Sequence, residues 1–224
     1  MVLAYSHGVV RPKVPLISRR RALEVALEIV DDGGLEALSI RRLAAAMGVN
    51  GASLYHHFKS KEDILVGVAD LVLEEVRDTG EPDASWREWL PDNARTLRRV
   101  LLAHPALLPV IVASRSHGFG AHLLDTSAAR LMREGVPSAV VMPLLDALAA
   151  FAVSSALHET RTGGPGASAG EYPALAKAEA DRGLSADQIY DLVITSILQA
   201  IDTAVEQQRA RWMSSIPVPV DEPR

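Results

Sequence analysis

The sequence contains no cysteine, which excludes disulfide bonds, thiolate zinc sites, dithiol redox motifs and cysteine nucleophiles. Aromatic residues are also scarce, at 4% of 224 residues, whereas 48% of the chain is hydrophobic. The core must therefore be built mainly from leucine, valine and alanine, a mixture that favours helices. A chain of this length corresponds to one or two domains and can bury a sizeable core without covalent cross-links.

The first residues lack the features of a secretory signal. Residues 1–17 contain Arg11, Lys13 and two prolines instead of an apolar run followed by a cleavage site. We therefore expect a cytoplasmic protein in which residues 1–17 form a flexible basic arm.

Charge is distributed unevenly along the chain, although the net charge is only −5. Residues 1–61 contain nine Lys and Arg against five Asp and Glu, so this quarter carries +4 and the remainder −9. A solvated basic face would give this pattern, but so would a nucleic-acid-binding domain joined to a body that does not touch nucleic acid.

Amphipathic periodicity, glycine and proline divide the chain into helices, with no convincing strand. Ser18, Ser39 and Asn50 are predicted N-caps, and residues 86–103 are predicted to form one helix. We predict an all-α fold, with an N-terminal three-helix helix-turn-helix head and a helical ligand-binding and dimerisation domain. The predicted parts are the arm at 1–17, the DNA-binding domain with its connecting helix at 18–78, the effector-binding and dimerisation domain at 84–213, and a tail at 214–224. The run of helix breakers at 78–83 separates the two domains, and the second helix of the head is expected to run from Asn50 to about Phe58.

Residues 39–58 read SIRRLAAAMGVNGASLYHHF and have the spacing of a helix-turn-helix. Ala44 lets two helices cross closely, Gly48 turns the chain, and Leu54 packs the second helix back onto the first. An ordinary helical hairpin has the same pattern. Here, however, the outward residues of the second helix are small or polar, and arginines and lysines lie on both sides of it. This decoration favours a surface that docks in a major groove.

The run LYHHFKSKEDIL, within residues 18–76, makes this segment resemble the DNA-binding domain of the tetracycline-repressor (TetR) family. The resemblance continues more weakly through residues 86–99 and into the last helix, where it is similar to the regulatory domain of the tetracycline repressor subgroup. It implies a homodimer that places two recognition helices in a palindromic operator and is controlled by a small-molecule effector. It implies a transcriptional regulator, in the first instance a repressor, and not an enzyme.

The surface pattern and the resemblance together predict the DNA contacts. Arg41 is the expected base reader, because a guanidinium can bond guanine with two hydrogen bonds. The resemblance assigns Ser39, Lys59 and Lys61 to the DNA backbone. The predicted DNA-binding residues are Ser39, Arg41, Asn50, Gly51, Ala52, Ser53, Tyr55, His56, His57, Lys59 and Lys61.

The predicted effector site departs from the family pattern. In tetracycline-binding members a histidine of the sixth helix holds a drug-bound magnesium ion, but the matching position here is Ile111. The usual acidic pocket residue falls at or beside His158 and Glu159, whereas Asn93 matches a pocket asparagine. We therefore expect a largely apolar effector, with no metal and no cofactor. The predicted ligand-binding residues are Trp86, Trp89, Asn93, Leu97, His104, Leu108, Ile111, Ser114, Phe151, Ser155 and His158.

Residues 139–157 are apolar and long enough to cross a membrane, but Pro143 and Asp146 interrupt the run and basic flanks are absent. A helix that is apolar nearly all round also suits a dimer interface. We predict that helices 138–160 and 186–212 form a four-helix bundle with a second copy, and that no membrane is involved. The last helix is expected to place one apolar stripe on one face: Ile189, Leu192, Val193, Ser196, Ile197, Ala200, Ile201, Ala204 and Val205.

Other functions stay open at this stage. A transcriptional activator would have the same head, and an all-helical enzyme or an interaction module would also fit the composition. Residues 166–170 match G-x-S-x-G, but this hydrolase motif needs a strand before it. No other catalytic constellation is visible in the sequence.

Overall fold

The computed structural model describes residues 18–76, 84–114, 120–160 and 172–215. It divides the chain into two compact units, Met1–Ile64 and Leu65–Arg224. The division falls inside a helix. The predicted domain boundary at 78–83 lies wholly outside the described residues, as do the arm at 1–17 and the tail beyond residue 215. The described residues contain helices and no strand, which confirms the all-α prediction.

The first unit begins with α1 (Arg19–Gly33), which a short 3₁₀ turn joins to α2 (Ile40–Met47); α3 (Gly51–Leu54) and the start of α4 (Lys61–Leu73) follow. The N-caps that the sequence predicted are formed: the side chains of Ser18, Ser39 and Asn50 accept hydrogen bonds from the backbone N–H groups of the first helical turns. The first helix runs through Gly33, and Gly34, at φ 75°, ends it.

The second helix of the head is shorter than predicted. It ends at Leu54 instead of continuing to Phe58, and residues 55–57 form a turn. The N–H groups of His57 and Phe58 both donate to the carbonyl of Leu54, at 2.9 Å, which closes this turn. Phe58 is 1% exposed, so burial of its ring fixes where the chain must lie after the helix.

The second unit contains the rest of α4, then α5 (Trp86–Ala103), α6 (Leu108–Ser114), α7 (Ala121–Arg133), α8 (Ser138–Thr160), α9 (Pro173–Ala180) and α10 (Ala186–Ser215). Helices α5, α8 and α10 pack against one another, and α7 packs on α8. Their shared core includes Trp89, Leu101, Leu144, Tyr190 and Ile194, each at most 2% exposed. This burial of large side chains supplies the main stabilisation of the body.

Three ion pairs cross from α5 to α10. Arg87 pairs with Asp202, the Nε of Arg95 lies 2.7 Å from Asp191 Oδ1, and Nη1 of Arg98 lies 2.5 Å from Asp187 Oδ1. Residue numbers rise along α5 as they fall along α10, so the two helices are antiparallel.

The predicted apolar stripe of α10 lies along one side of the helix, but apart from Val205 it is not the side that the body buries. The buried residues are Tyr190, Ile194, Leu198 and Val205, whereas Leu192 is 58% exposed and Ala200 is also exposed. The helix therefore has two apolar faces, because its sequence is apolar on both sides and only one side meets α5 and α8.

Helix α8 also has apolar residues on both sides. Leu144, Leu148 and Ala152 are buried, but Met142 and Leu157 are each 43% exposed. Among the described helices, α8 is long and apolar enough to cross a membrane, and 33% of that window is buried. Helix α5 and the segment 105–113 that follows it are also long and apolar enough when they are taken together, although the two are bent by 93° relative to each other. Core helices of soluble proteins also meet these criteria.

Candidate nucleic-acid interface and effector site

The turn between α2 and α3 has the backbone geometry of a helix-turn-helix. Gly48 adopts the left-handed conformation, at φ 65° and ψ 31°, and its N–H donates to the carbonyls of the last turn of α2. The N–H of Val49 donates to Ala44, at 3.0 Å, and Oδ1 of Asn50 accepts from the N–H of Ala52, at 2.9 Å. Because glycine adopts this conformation without steric cost, it lets α3 begin within three residues of the end of α2.

One side of this helix pair is buried and the other is free. Leu43 and Leu54 are fully buried, and Ala44 is 5% exposed. Tyr55 is 62% exposed at the end of α3, and its ring is among the most exposed large side chains that the structure describes. This side of the helix pair, with the Tyr55 ring on it, is therefore open to a partner.

All eleven predicted DNA-binding residues are at least partly accessible. Gly51, Ser53, His57 and Lys61 are half-buried, and the other seven are exposed. Within the described residues Arg41 forms no ion pair, so its guanidinium is available to a partner. Lys61 is less free, since its Nζ lies 3.8 Å from a carboxylate oxygen of Glu36.

In the body, Asn93 lies on the buried side of α5. It is 7% exposed, and its Oδ1 has no hydrogen-bond partner. Leaving a buried acceptor unpaired costs about 1–3 kcal/mol, which native proteins accept at few positions. A ligand with a hydrogen-bond donor would satisfy this oxygen.

Two predicted pocket residues belong to a tightly paired cluster. The indole N–H of Trp89 donates to Oε1 of Glu134, at 2.8 Å, and the backbone N–H of Trp86 donates to the same carboxylate. The guanidinium of Arg130 lies 4.5 Å from the ring centroid of Trp89. These contacts tie α5 to the end of α7, and Trp86 also lines a groove between α5 and α10.

A cleft of about 380 Å³ opens where the end of α8 meets the beginning of α10. It brings together three predicted ligand-binding residues, Phe151, Ser155 and His158. The ring of Phe151 stacks on Tyr190, at 5.3 Å between centroids. Glu159, at or beside which the family's acidic pocket residue was expected, also lines the cleft. The sequence did not indicate the other lining residues: Ser154, Arg182, Ala186 and Ile189.

Arg98 contacts two residues that line this cleft, and the sequence analysis did not predict it. Its Nε donates to Ser155 Oγ, at 3.1 Å, and its guanidinium pairs with Glu159 and Asp187, both at 2.5 Å. Burial lowers the pKa of Arg98, but the hydrogen bond to Asp187 and the two carboxylate charges raise it above its ordinary value. Burial raises the pKa of Tyr190, whose hydroxyl donates to the carbonyl of Ala94 at 2.8 Å. Contacts between positions 57 and 89 residues apart give no local signal in a sequence.

The remaining predicted pocket residues are separate from the cleft. Leu108 and Ile111 are buried, whereas Leu97 and His104 are half-buried. The side chain of Ser114 lies outside the described part of the structure. Among the described residues there is no cluster of His, Cys, Asp or Glu that could hold a metal ion.

Comparison with known proteins places both units in one family. The profile described as "Bacterial regulatory proteins, tetR family" matches residues 22–68, and the profile "Tetracyclin repressor-like, C-terminal domain" matches residues 79–203. The chain is 39% identical over 90 residues to the tetracycline repressor protein class C of Escherichia coli, which covers 39% of this chain and 41% of that protein. The chain thus spans about two fifths of the length of this relative.

Longer matches come from Streptomyces. The HTH-type transcriptional repressor DrrR1 of Streptomyces coeruleorubidus is 28% identical over 224 residues, covering 87% of this chain and 81% of the relative. The TetR family protein ActR of Streptomyces coelicolor, solved in complex with (S)-DNPA, superposes with a TM-score of 0.71 at 25% identity, covering 85% of this chain and 100% of that one. With both of its parts matched in this way, the chain belongs to the TetR family of bacterial regulatory proteins.

Proposed function

We propose that the protein is a cytoplasmic, homodimeric repressor that binds a palindromic DNA operator and releases it on binding a small, largely apolar effector. The proposal rests on one observation: the ring of Tyr55 at the end of α3 is exposed, whereas its neighbours in sequence Leu54 and Phe58 are buried. A surface built in this way, beside exposed arginine and lysine side chains, fits the major groove of DNA.

The DNA contacts proposed for this surface fall into two groups. Arg41 is the base reader, because its guanidinium is exposed and unpaired within the described residues. The other ten predicted residues position the helix through phosphates and sugar, and Lys61 must first loosen its contact with Glu36.

The proposed dimer uses the second apolar faces of α8 and α10. Met142 and Leu157 on α8 and Leu192 on α10 are between 43% and 58% exposed in the single chain. A second copy would cover these faces in a four-helix bundle and remove them from water. Exposed Asp146 and Pro143 lie in the middle of α8, which favours a protein partner over a membrane.

The proposed effector binds in the body. ActR was solved with (S)-DNPA and also with actinorhodin, so a structural neighbour of similar fold binds small organic molecules. In this chain the unpaired Oδ1 of Asn93 offers one buried polar contact on α5, and Ile111 offers no metal ligand. An apolar effector with at least one hydrogen-bond donor satisfies both features.

Selection of bound duplexes from a random DNA pool tests the DNA-binding part of the proposal. We expect a palindrome, bound less tightly as salt is raised, because phosphate contacts release counterions. Arg41→Ala should weaken binding by roughly five- to 150-fold, since a bidentate base contact is worth about 1–3 kcal/mol. Arg99→Ala, which removes an exposed arginine from the body, is the matched control and should bind as the unmodified protein does. Recovery of no sequence above background would refute the proposal.

A further inference from the structure

Arg19, the first residue of α1, lies folded back on the segment that follows the recognition helix α3. One of its terminal nitrogens donates to the backbone carbonyl of His57, and the other lies 3.2 Å from Oδ1 of Asp63. Its guanidinium carbon is 4.5 Å from the centroid of the buried Phe58 ring. Three kinds of contact therefore fix this side chain, although 46% of it is exposed.

Asp63 completes the arrangement with its second oxygen. Its Oδ2 accepts the backbone N–H of Lys59, at 2.9 Å, and its own N–H donates to Ser60 Oγ, at 3.2 Å. A capping box would direct this carboxylate to the N–H of Ser60, whereas here it reaches one residue further back. The hydrogen bond from Lys59, and then Arg19, hold the pKa of Asp63 below its ordinary value.

We propose that the Arg19–Asp63 pair is a clamp that positions residues 55–59 for DNA, and that Arg19 itself does not bind phosphate. Helix α3 has only four residues, so its own hydrogen bonds cannot hold the turn that follows it. Leu54 and Phe58 anchor this turn from the buried side. The clamp fixes it from the other side, through the carbonyl of His57 and the N–H of Lys59. The inference rests on the proposed DNA binding.

The alternative is that Arg19 adds one more positive charge for the DNA backbone. The two roles predict opposite effects for Asp63→Asn. If Arg19 binds phosphate, removing the carboxylate frees the guanidinium and removes a negative charge near DNA, so affinity rises. If the pair is a clamp, the same change loosens residues 55–59, so affinity falls.

The experiment measures the dissociation constant of the full chain over a range of salt concentrations. The probes are the duplex that the unmodified protein selects from a random pool and a scrambled duplex of the same length. The variants are Arg19→Met, Asp63→Asn and both together. Arg21→Met is the matched control, because it removes the same charge and, within the described residues, Arg21 pairs only with Glu24 on its own helix, at 3.2 Å.

We expect Arg19→Met and Asp63→Asn each to weaken binding of the selected duplex by about tenfold, the effect of one charge-assisted hydrogen bond. The affinity for the scrambled duplex should change little, because a displacement of residues 55–59 disturbs contacts with bases more than contacts with phosphates. The double variant should lose less affinity than the sum of the two single losses, because both single changes remove the same Arg19–Asp63 ion pair. Arg19→Lys, which keeps the ion pair, should recover part of the loss.

Three outcomes would overturn the clamp. The first is tighter binding by Asp63→Asn. The second is a plot of log binding constant against log salt concentration whose slope is shallower by about 0.9 for Arg19→Met, as expected for a lost phosphate contact. The third is an equal loss of affinity for both duplexes, which indicates unfolding. If the unmodified protein selects no duplex, the proposed function fails, and the inference fails with it.

Discussion

Replacing Asn93 by leucine should stabilise the protein while removing its response to effector. The amide is 7% exposed and its Oδ1 has no hydrogen-bond partner, so the folded chain bears a desolvation cost of about 1–3 kcal/mol. Leucine has the same number and branching of side-chain heavy atoms and removes this cost. Part of the gain is lost because the amide nitrogen and its contacts also disappear, so we expect a net stabilisation of about 1–2 kcal/mol.

Thermal unfolding measures the first effect. For a chain of this size each kcal/mol shifts Tm by roughly 2–4 °C, so the variant should melt about 2–8 °C higher at equal protein concentration. Asn93→Asp is the control, because it keeps the shape of the side chain but buries a charge, and it should melt lower.

Release of the selected duplex by a panel of small aromatic molecules measures the second effect. A compound that releases DNA from the unmodified protein should act far more weakly on Asn93→Leu if it donates a hydrogen bond to Oδ1. A lower Tm for Asn93→Leu would show that the oxygen is already satisfied in the free protein. An unchanged response to effector would show that the ligand binds elsewhere, for which the cleft between α8 and α10 is the first place to look.

Four further variants test other parts of the structure. Leu192→Glu places a charge on the exposed apolar face of α10 and should convert the proposed dimer to monomer in sedimentation equilibrium, whereas a persisting dimer would exclude this face from the interface. Arg98→Met should cost about 1–2 kcal/mol in denaturant unfolding, because the carboxylates that it leaves are 42% and 81% exposed. Glu159→Gln with Asp187→Asn should cost more, about 3–5 kcal/mol, since it leaves the buried guanidinium without a counter-charge although its hydrogen bond to Ser155 remains. A larger cost for Arg98→Met would refute this account. The pKa of Asp63 is below its ordinary value of 3.8, so the ionised carboxylate stabilises the folded first unit at pH values above 3.8. This stability is lost as the pH falls through the lowered pKa of the folded state. The free energy of unfolding of Asp63→Asn should therefore depend less on pH below about pH 4.

Local signals predicted much of the fold. Ser18, Ser39 and Asn50 cap helices as expected, because a cap depends on residues within one turn of one another. Gly48 turns the chain in the left-handed conformation, which follows from the glycine alone. The ends of α5 at Trp86 and Ala103 were also correct, since a capping residue and proline bound the helix.

Features that depend on distant partners were not predictable. Helix α3 ends at Leu54 because the ring of Phe58 is buried, and helix periodicity in the sequence does not predict where that ring packs. The two faces of α10 could not be separated, because both are apolar and only the fold decides which one meets α5 and α8. For the effector site, the sequence grouped Trp86 with Phe151, whereas the structure ties Trp86 to Glu134 and places Phe151 on Tyr190.

The ion pairs between α5 and α10 limit how the body can move. A slide of α10 along α5 by one helical turn, about 5.4 Å, would break the pairs at Asp187, Asp191 and Asp202 at the same time. Tilting the two helices together breaks none of them. We therefore expect α5 and α10 to move together. A ligand that displaces one end of α5 should change the tilt of α10 and not its register against α5. In the proposed dimer, where α10 also faces the second copy, such a tilt would rotate one body against the other.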